Sequence, residues 1–193
     1  MNELEEYLKY VYDYFNRICG DSNLSKRIAS IAKIVRVTSG ESILEAGHRT
    51  NYICLVVSGL VRGFYIDEDG NDITKCFSME GDWCCTYNYL SNLPCPFFIE
   101  AAEDTILAQF DIGEVNKIRT EYPVLEERVG KLLAETMMKS ERRIYSFTSL
   151  EAKDRYKLLL KEQPELVKRA KQEHISSYLG ITPSSLSRIK RNL

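Results

Sequence analysis

No apolar run in this 193-residue chain approaches the roughly 20 residues a helix needs to cross a bilayer. The N-terminus also lacks the basic start and uniformly apolar stretch of a secretory signal. Met1-Asn2-Glu3-Leu4-Glu5-Glu6 is acidic and leads into an amphipathic pattern. No membrane partner is expected, and the cytoplasm is the expected compartment. There the six cysteines (19, 54, 76, 84, 85 and 95) are reduced by default. Histidine is scarce: His48 falls in a turn and His174 on a later helix, too far apart in sequence and context for a catalytic pair. No Ser/His/Asp constellation, phosphate-cradling glycine loop or metal-ligand spacing is present. The chain therefore reads as a non-enzyme, with no cofactor and no metal.

A strong charge of either sign is missing too, since the formal net charge is −2. Its distribution is uneven, however. From Lys161 to Leu193 seven Lys/Arg stand against three Glu, whereas residues 1–160 hold nineteen against twenty-five. A basic end on an acidic body points to a polyanionic partner for that end only.

Leu4, Tyr7, Leu8, Val11, Phe15 and Ile18 recur at helical spacing, which predicts an opening amphipathic helix; a shorter one follows over about Ser25–Ala32. From Ile34 to Phe110 the pattern becomes short β-rich runs: 34–37, 42–45, 52–57, 61–66, 73–77, 98–101 and 106–110. Turn signals at Ser39-Gly40, Ala46-Gly47, Ser58-Gly59 and Asp67-Glu68-Asp69-Gly70 separate them, which indicates an antiparallel sandwich or barrel. Asp69-Gly70-Asn71 suits a hairpin turn. After Tyr122-Pro123 the helical period returns and runs to about Phe147. Val129, Leu133, Met137, Ser140, Ile144 and Phe147 form a narrow stripe stepping by four, four, three, four and three, as in a two-helix dimer seam. Packing on the chain's own β domain is the alternative use of that stripe. Thr148-Ser149-Leu150-Glu151 matches a capping box, so a new helix is expected to start near Ser149 and to end before Pro164.

The most specific segment is Gln172–Arg191. Ile175, Tyr178 and Leu179 give a first helix its apolar face, and Gly180 falls where a tight interhelical turn needs a left-handed residue. Thr182 is placed to cap a second helix and Pro183 suits its first turn, while Leu186 and Ile189 face back to the first. Ser184, Ser185, Ser187, Arg188 and Arg191 are left pointing outward, with almost no acid among them. Short hydroxyls allow close approach to DNA, and Arg188 is positioned for a bidentate guanine contact. The chain ends just past this helix, at Leu193, so no wing is expected and phosphate contacts fall to Lys168, Arg169, Lys171 and Lys190.

With these parts in order, nearly the whole chain resembles the Crp/Fnr family of bacterial regulators. Ser39–Gly47 followed by Tyr52–Arg62 looks like the opening of that family's cyclic-nucleotide-binding β-roll, Gly81-Asp82-Trp83 like its Gly-Asp-aromatic turn, and Phe98–Phe110 like its closing strands. The resemblance implies an α+β fold. An N-terminal antiparallel β-roll of the jelly-roll type with flanking helices (1–121) would be followed by a long dimerisation helix and hinge (122–148) and a C-terminal helix-turn-helix domain (149–193). It also implies a homodimer on double-stranded DNA, with RNA polymerase as a further partner if the protein activates. DNA contacts would fall on Thr182, Ser184, Ser185, Ser187, Arg188, Lys190 and Arg191. The effector pocket would involve Trp83, Cys85, Thr86, Cys95, Pro96, Phe97 and Ser140, the last aligned with the family's adenine-binding hydroxyl.

Departures from the family matter here. Where cyclic AMP binders carry a Gly-Glu pair for the ribose and an Arg-Ser pair for the phosphate, this chain has Cys85-Thr86 and Cys95-Pro96. A buried phosphate without a cation is strongly disfavoured, so control by cyclic AMP is not expected. An N-terminal iron–sulfur cluster is not expected either, because Cys19 stands alone in its region. Cys84-Cys85, with Cys76 and Cys95, could form a redox or soft-metal sensor. The favoured expectation is that they act as small apolar residues, because strand alternation would put Cys84 and Cys85 on opposite faces. The function expected is a DNA-binding transcription regulator. The rival is a ligand-binding or protein-interaction module of the same fold that does not bind DNA specifically.

Overall fold

The computed structural model describes residues 2–193. Helix α1 (Glu3–Cys19) starts at a reciprocal cap: Asn2 Oδ1 accepts from the Glu5 amide at 2.9 Å and Glu5 Oε2 from the Asn2 amide at 3.0 Å. Helix α2 (Ser22–Ile31) begins earlier than the expected Ser25, because the Asp21 carboxylate caps the amides of Asn23 and Leu24. Eight strands follow: β1 (Lys33–Val37), β2 (Ser42–Leu44), β3 (Tyr52–Ser58), β4 (Val61–Ile66), β5 (Asp72–Ser78), β6 (Trp83–Cys84), β7 (Phe98–Ala101) and β8 (Thr105–Asp111). They form two four-stranded antiparallel sheets, ordered β1-β8-β3-β6 and β2-β7-β4-β5, as the jelly-roll reading requires. The hairpin at Asp69-Gly70-Asn71 joins β4 to β5, where the Asp67 carboxylate collects the amides of Asp69 and Asn71.

Strand β3 explains how the roll is filled. Ile53, Leu55 and Val57 point to α1, α2 and the helix after β8, in one core with Val11, Phe15, Leu24, Phe110 and Ile118. Cys54 and Val56 point into the roll, with Val61, Cys84, Cys85, Cys95, Phe97 and Leu107. Buried on both faces, β3 reads as a continuous apolar run rather than an alternating one. Truncating Leu55 to Ala would cost about 2–5 kcal/mol.

Helices α3 (Tyr87–Ser91), α4 (Ile112–Glu121) and α7 (Pro164–Arg169), and the two-residue strand β6, carry too little periodicity to be found in sequence. Helix α5 (Pro123–Ser149) is 27 residues long. The capping box expected at 148–151 does not form. The Thr148 hydroxyl donates back to the carbonyls of Ile144 and Tyr145, extending α5 through Ser149, and α6 (Ala152–Glu162) starts after Glu151 without a side-chain cap. The chain ends in α8 (Gln172–Tyr178) and α9 (Pro183–Arg191). Their shared core of Tyr156, Leu159, Leu166, Ile175, Leu179 and Leu186 includes Leu60 and touches Phe77 and Met79, so the terminal helices pack directly on the roll. Among the described residues, no helix is long and apolar enough to cross a membrane.

Candidate nucleic-acid interface and effector pocket

The α8–α9 turn has the local geometry its sequence demands. Gly180 adopts φ +66°, and a Cβ there would lie 2.7 Å from the Phe147 ring. Thr182 Oγ1 accepts from the Ser185 amide at 3.2 Å, and Pro183 occupies the first turn. Thr182, Ser184, Arg188, Lys190 and Arg191 are exposed, and Ser185 and Ser187 are half-buried. Ser187 is less free than its position implied, because its hydroxyl accepts from Gln172 Nε2 at 2.7 Å. Ser184 and Ser185 both lie within 3.0 Å of the Thr182 hydroxyl. No ion pair to Arg188, Lys190 or Arg191 forms among the described residues. Of the other expected phosphate contacts, Arg169 is committed elsewhere. Its guanidinium grips Glu80 at 2.9 Å and Glu103 at 2.5 Å, in the two turns beneath it, and these carboxylates, Glu80 foremost, raise its pKa further. Lys168 pairs with Glu165 at 2.6 Å.

The helix-turn-helix is held to the roll through a polar junction that sequence reading missed. Arg62 is buried at 2% exposure and donates to Asp72 at 2.6 and 2.5 Å, to Glu100 at 2.9 Å and to the Thr74 hydroxyl at 3.1 Å. From α8, the Ser177 hydroxyl donates to the Asp72 carbonyl at 3.0 Å and accepts from the Thr74 amide at 2.8 Å. Arg143 of α5 donates to the Thr74 carbonyl at 3.2 Å and lies over the rings of Phe147 and Tyr178. His174 is buried against this group. Burial first, and then the nearby Arg62 charge, lowers its pKa, and its Nδ1 has no hydrogen-bond partner. A lone arginine in an otherwise apolar strand, Val61-Arg62-Gly63-Phe64, was the only sequence signal for this junction.

Between the roll and α5 runs a cleft of about 1690 Å³. Of the residues assigned to an effector pocket, Trp83, Cys85, Thr86, Phe97 and Ser140 line it. Cys95 and Pro96 do not: Cys95 is fully buried with its thiol donating to the Phe97 carbonyl at 3.3 Å, and Pro96 faces solvent. Trp83 is fixed to α1, its Nε1 donating to the Tyr14 hydroxyl at 3.0 Å and its ring packing on Phe15 and Phe110. The cleft is not free of cations, because Lys75, Lys139, Arg142 and Arg143 also line it. Leu133, Met137 and Ile144 of the expected seam stand exposed beside Met138 and Tyr145, which lie outside the narrow stripe, and Leu133, Ile144 and Tyr145 also line the cleft. Val129 is half-buried. Phe147 departs from the seam and turns onto the Gly180 turn.

The cysteine expectation needs correction. Cys84 and Cys85 do not take opposite faces, because Cys85 leaves the strand with φ +58°. Cys54, rather than Cys76 or Cys95, completes their group.

A model of the cyclic nucleotide-binding domain matches residues 34–122. The chain is 20% identical over 164 residues to the fumarate and nitrate reduction regulatory protein of Yersinia pestis, a match covering 79% of this chain and 65% of that protein. The chain thus spans just under two thirds of that relative's length. Among solved structures, FixK2 from Bradyrhizobium japonicum matches with a TM-score of 0.75 at 21% identity over 84% of each chain. A Crp/Fnr-family transcriptional regulator from Eubacterium rectale matches with a TM-score of 0.70 at 19% identity, covering 93% of this chain and 87% of that one. At these identities the structural likeness is one of fold.

Proposed function

We propose that this chain, which resembles the Crp/Fnr regulators in sequence and fold, is a sequence-specific DNA-binding transcription regulator acting as a homodimer. The observation that carries this reading is the outer face of α9. Hydroxyls stand at its N-terminal end, Arg188, Lys190 and Arg191 stand exposed and unpaired among the described residues, and the face carries no acid. Docking on the roll uses Ser177 of α8 and Arg169 of α7, which leaves α9 available. That division of labour speaks against the rival reading, in which the motif serves only to pack on protein. In a two-fold dimer the two α9 helices would sit about 34–36 Å apart in successive major grooves.

The test is a salt-dependent gel shift on the upstream DNA of the protein's own gene against random DNA. A specific shift that weakens steeply with salt is expected; equal binding to both DNAs would favour the interaction module. Arg188→Ala should cost about 1–3 kcal/mol at one base position and relax specificity there, whereas Lys190→Ala should weaken both DNAs alike and flatten the salt slope.

Cyclic AMP is not the proposed signal. The positions of the family's ribose and phosphate pairs offer neither a carboxylate nor a guanidinium, and Cys95 and Pro96 lie off the cleft. Of the cleft's cations, Arg143 is engaged by Thr74 and Tyr178, and Lys75 lies 4.2 Å over the Phe97 ring. Calorimetry should detect no micromolar cyclic AMP binding, and finding it would overturn this part of the reading.

A further inference from the structure

Inside the roll, the sulfurs of Cys54, Cys84 and Cys85 all lie within 4.8 Å of one another. Their residues are 0%, 7% and 2% exposed. Two features of the backbone bring them together. Cys54 and Cys84 are direct partners in the β3–β6 register, which puts their side chains on one face. Cys85 would then face away, but its φ of +58° turns it back to the same side. The left-handed region is strained for any residue with a Cβ, and what the strain secures here is the third sulfur. Cys84 and Cys85 also line the cleft beside α5, so the group has an approach from solvent.

The donor set limits what could bind. Among the described residues no histidine or carboxylate joins the three thiols, so a closed four-ligand zinc site is not available. Metal–sulfur bonds of about 2.3 Å in a trigonal arrangement place sulfurs roughly 4 Å apart, which falls inside the 4.8 Å that bounds the three sulfurs here. Charge then separates the candidates. Three thiolates leave a net charge of −2 around a monovalent ion and −1 around a divalent one, in an apolar core that strongly disfavours unpaired charge. Around a trivalent ion the complex is neutral.

We propose that Cys54, Cys84 and Cys85 form a binding site for a trivalent, thiophilic metalloid ion of the arsenite class. In the binding step As(OH)3 meets three thiols. Three As–O bonds and three S–H bonds break, three As–S bonds form, and each proton leaves with a hydroxide as water. Arsenic remains trivalent, so no oxidant or reductant is needed. The site stands independently of DNA binding.

The full chain, reduced with a phosphine to avoid competing thiols, is titrated with sodium arsenite and followed by native mass spectrometry. One adduct per chain is expected, with the mass of one arsenic less three hydrogens, and X-ray absorption should give a shell of three sulfurs. Cys54→Ser, Cys84→Ser and Cys85→Ser should each lower affinity at least tenfold, while Cys19→Ser should leave it unchanged. Cys85→Gly suits the φ of +58° and should fold at least as readily as the serine variants, yet lose the adduct. No adduct, an adduct retaining oxygen, tighter loading by Zn(II), or arsenite binding that survives Cys85→Gly would overturn the proposal.

Discussion

At Thr74 three parts of the molecule meet on one residue: its hydroxyl takes Arg62 from β4, its amide meets Ser177 of α8, and its carbonyl takes Arg143 of α5. His174 sits against this group as a buried base. Its pKa is lowered by burial and then by Arg62, effects that the nearby Glu100, Asp72 and Glu173 only partly offset. The unfolded chain therefore binds the His174 proton more readily than the folded one, and stability rises with pH between the two pKa values. This contribution is intact above about pH 6.5 and is lost as pH falls through the lowered folded value. Urea melts from pH 7.5 down to pH 5.5 should show falling stability, and His174→Gln should remove part of that slope; an unchanged slope would refute the assignment. Residues of this kind were hidden from sequence reading, because a buried partner on another element leaves no local periodicity.

Among the elements, α5 both exposes apolar side chains and reaches the terminal helices. Leu133, Met137, Met138, Ile144 and Tyr145 are exposed apolar side chains along it. If they form the dimer seam, burial of each is worth about 1.5–3 kcal/mol. Met137→Glu combined with Ile144→Glu should give monomers in sedimentation analysis, with the β-roll circular dichroism intact. The helix's last turn sends Phe147 into the α8–α9 turn. Gly180→Ala should accordingly cost about 1–2 kcal/mol for a non-glycine residue at positive φ, plus an overlap with the ring. Adding Phe147→Leu should recover the overlap but not the backbone cost, which thermal melts of the single and double variants can separate. The stripe was legible because a helix repeats its faces. Phe147's exit from it was not, since that depends on where the next domain lies.

In the whole molecule, two polar ties hold the terminal helices to the roll. Arg169 bridges α7 to Glu80 and Glu103, in the β5–β6 and β7–β8 turns, and Arg62, Thr74 and Ser177 make the second tie. The Arg169 contacts are partly exposed, so their net worth is modest. Arg169→Ala should lower stability by about 1–2 kcal/mol and should speed hydrogen exchange in α7, α8 and β5 more than in β3; uniform exchange changes would argue against a local tie. Sequence alone determined the succession of parts: the opening amphipathic helix, the roll of short punctuated strands, the long helix, and the Gly180–Thr182–Pro183 turn chemistry of the helix-turn-helix. Each of these rests on local rules of period, capping and backbone conformation that a dozen residues suffice to express. Tertiary structure alone decided that Arg169 holds the terminal helices to the roll rather than serving as a free cation, that Cys95 and Pro96 lie off the cleft, and that Cys54 joins Cys84 and Cys85. Those outcomes depend on strand register and on one left-handed residue, which bring together groups that sequence distance keeps apart.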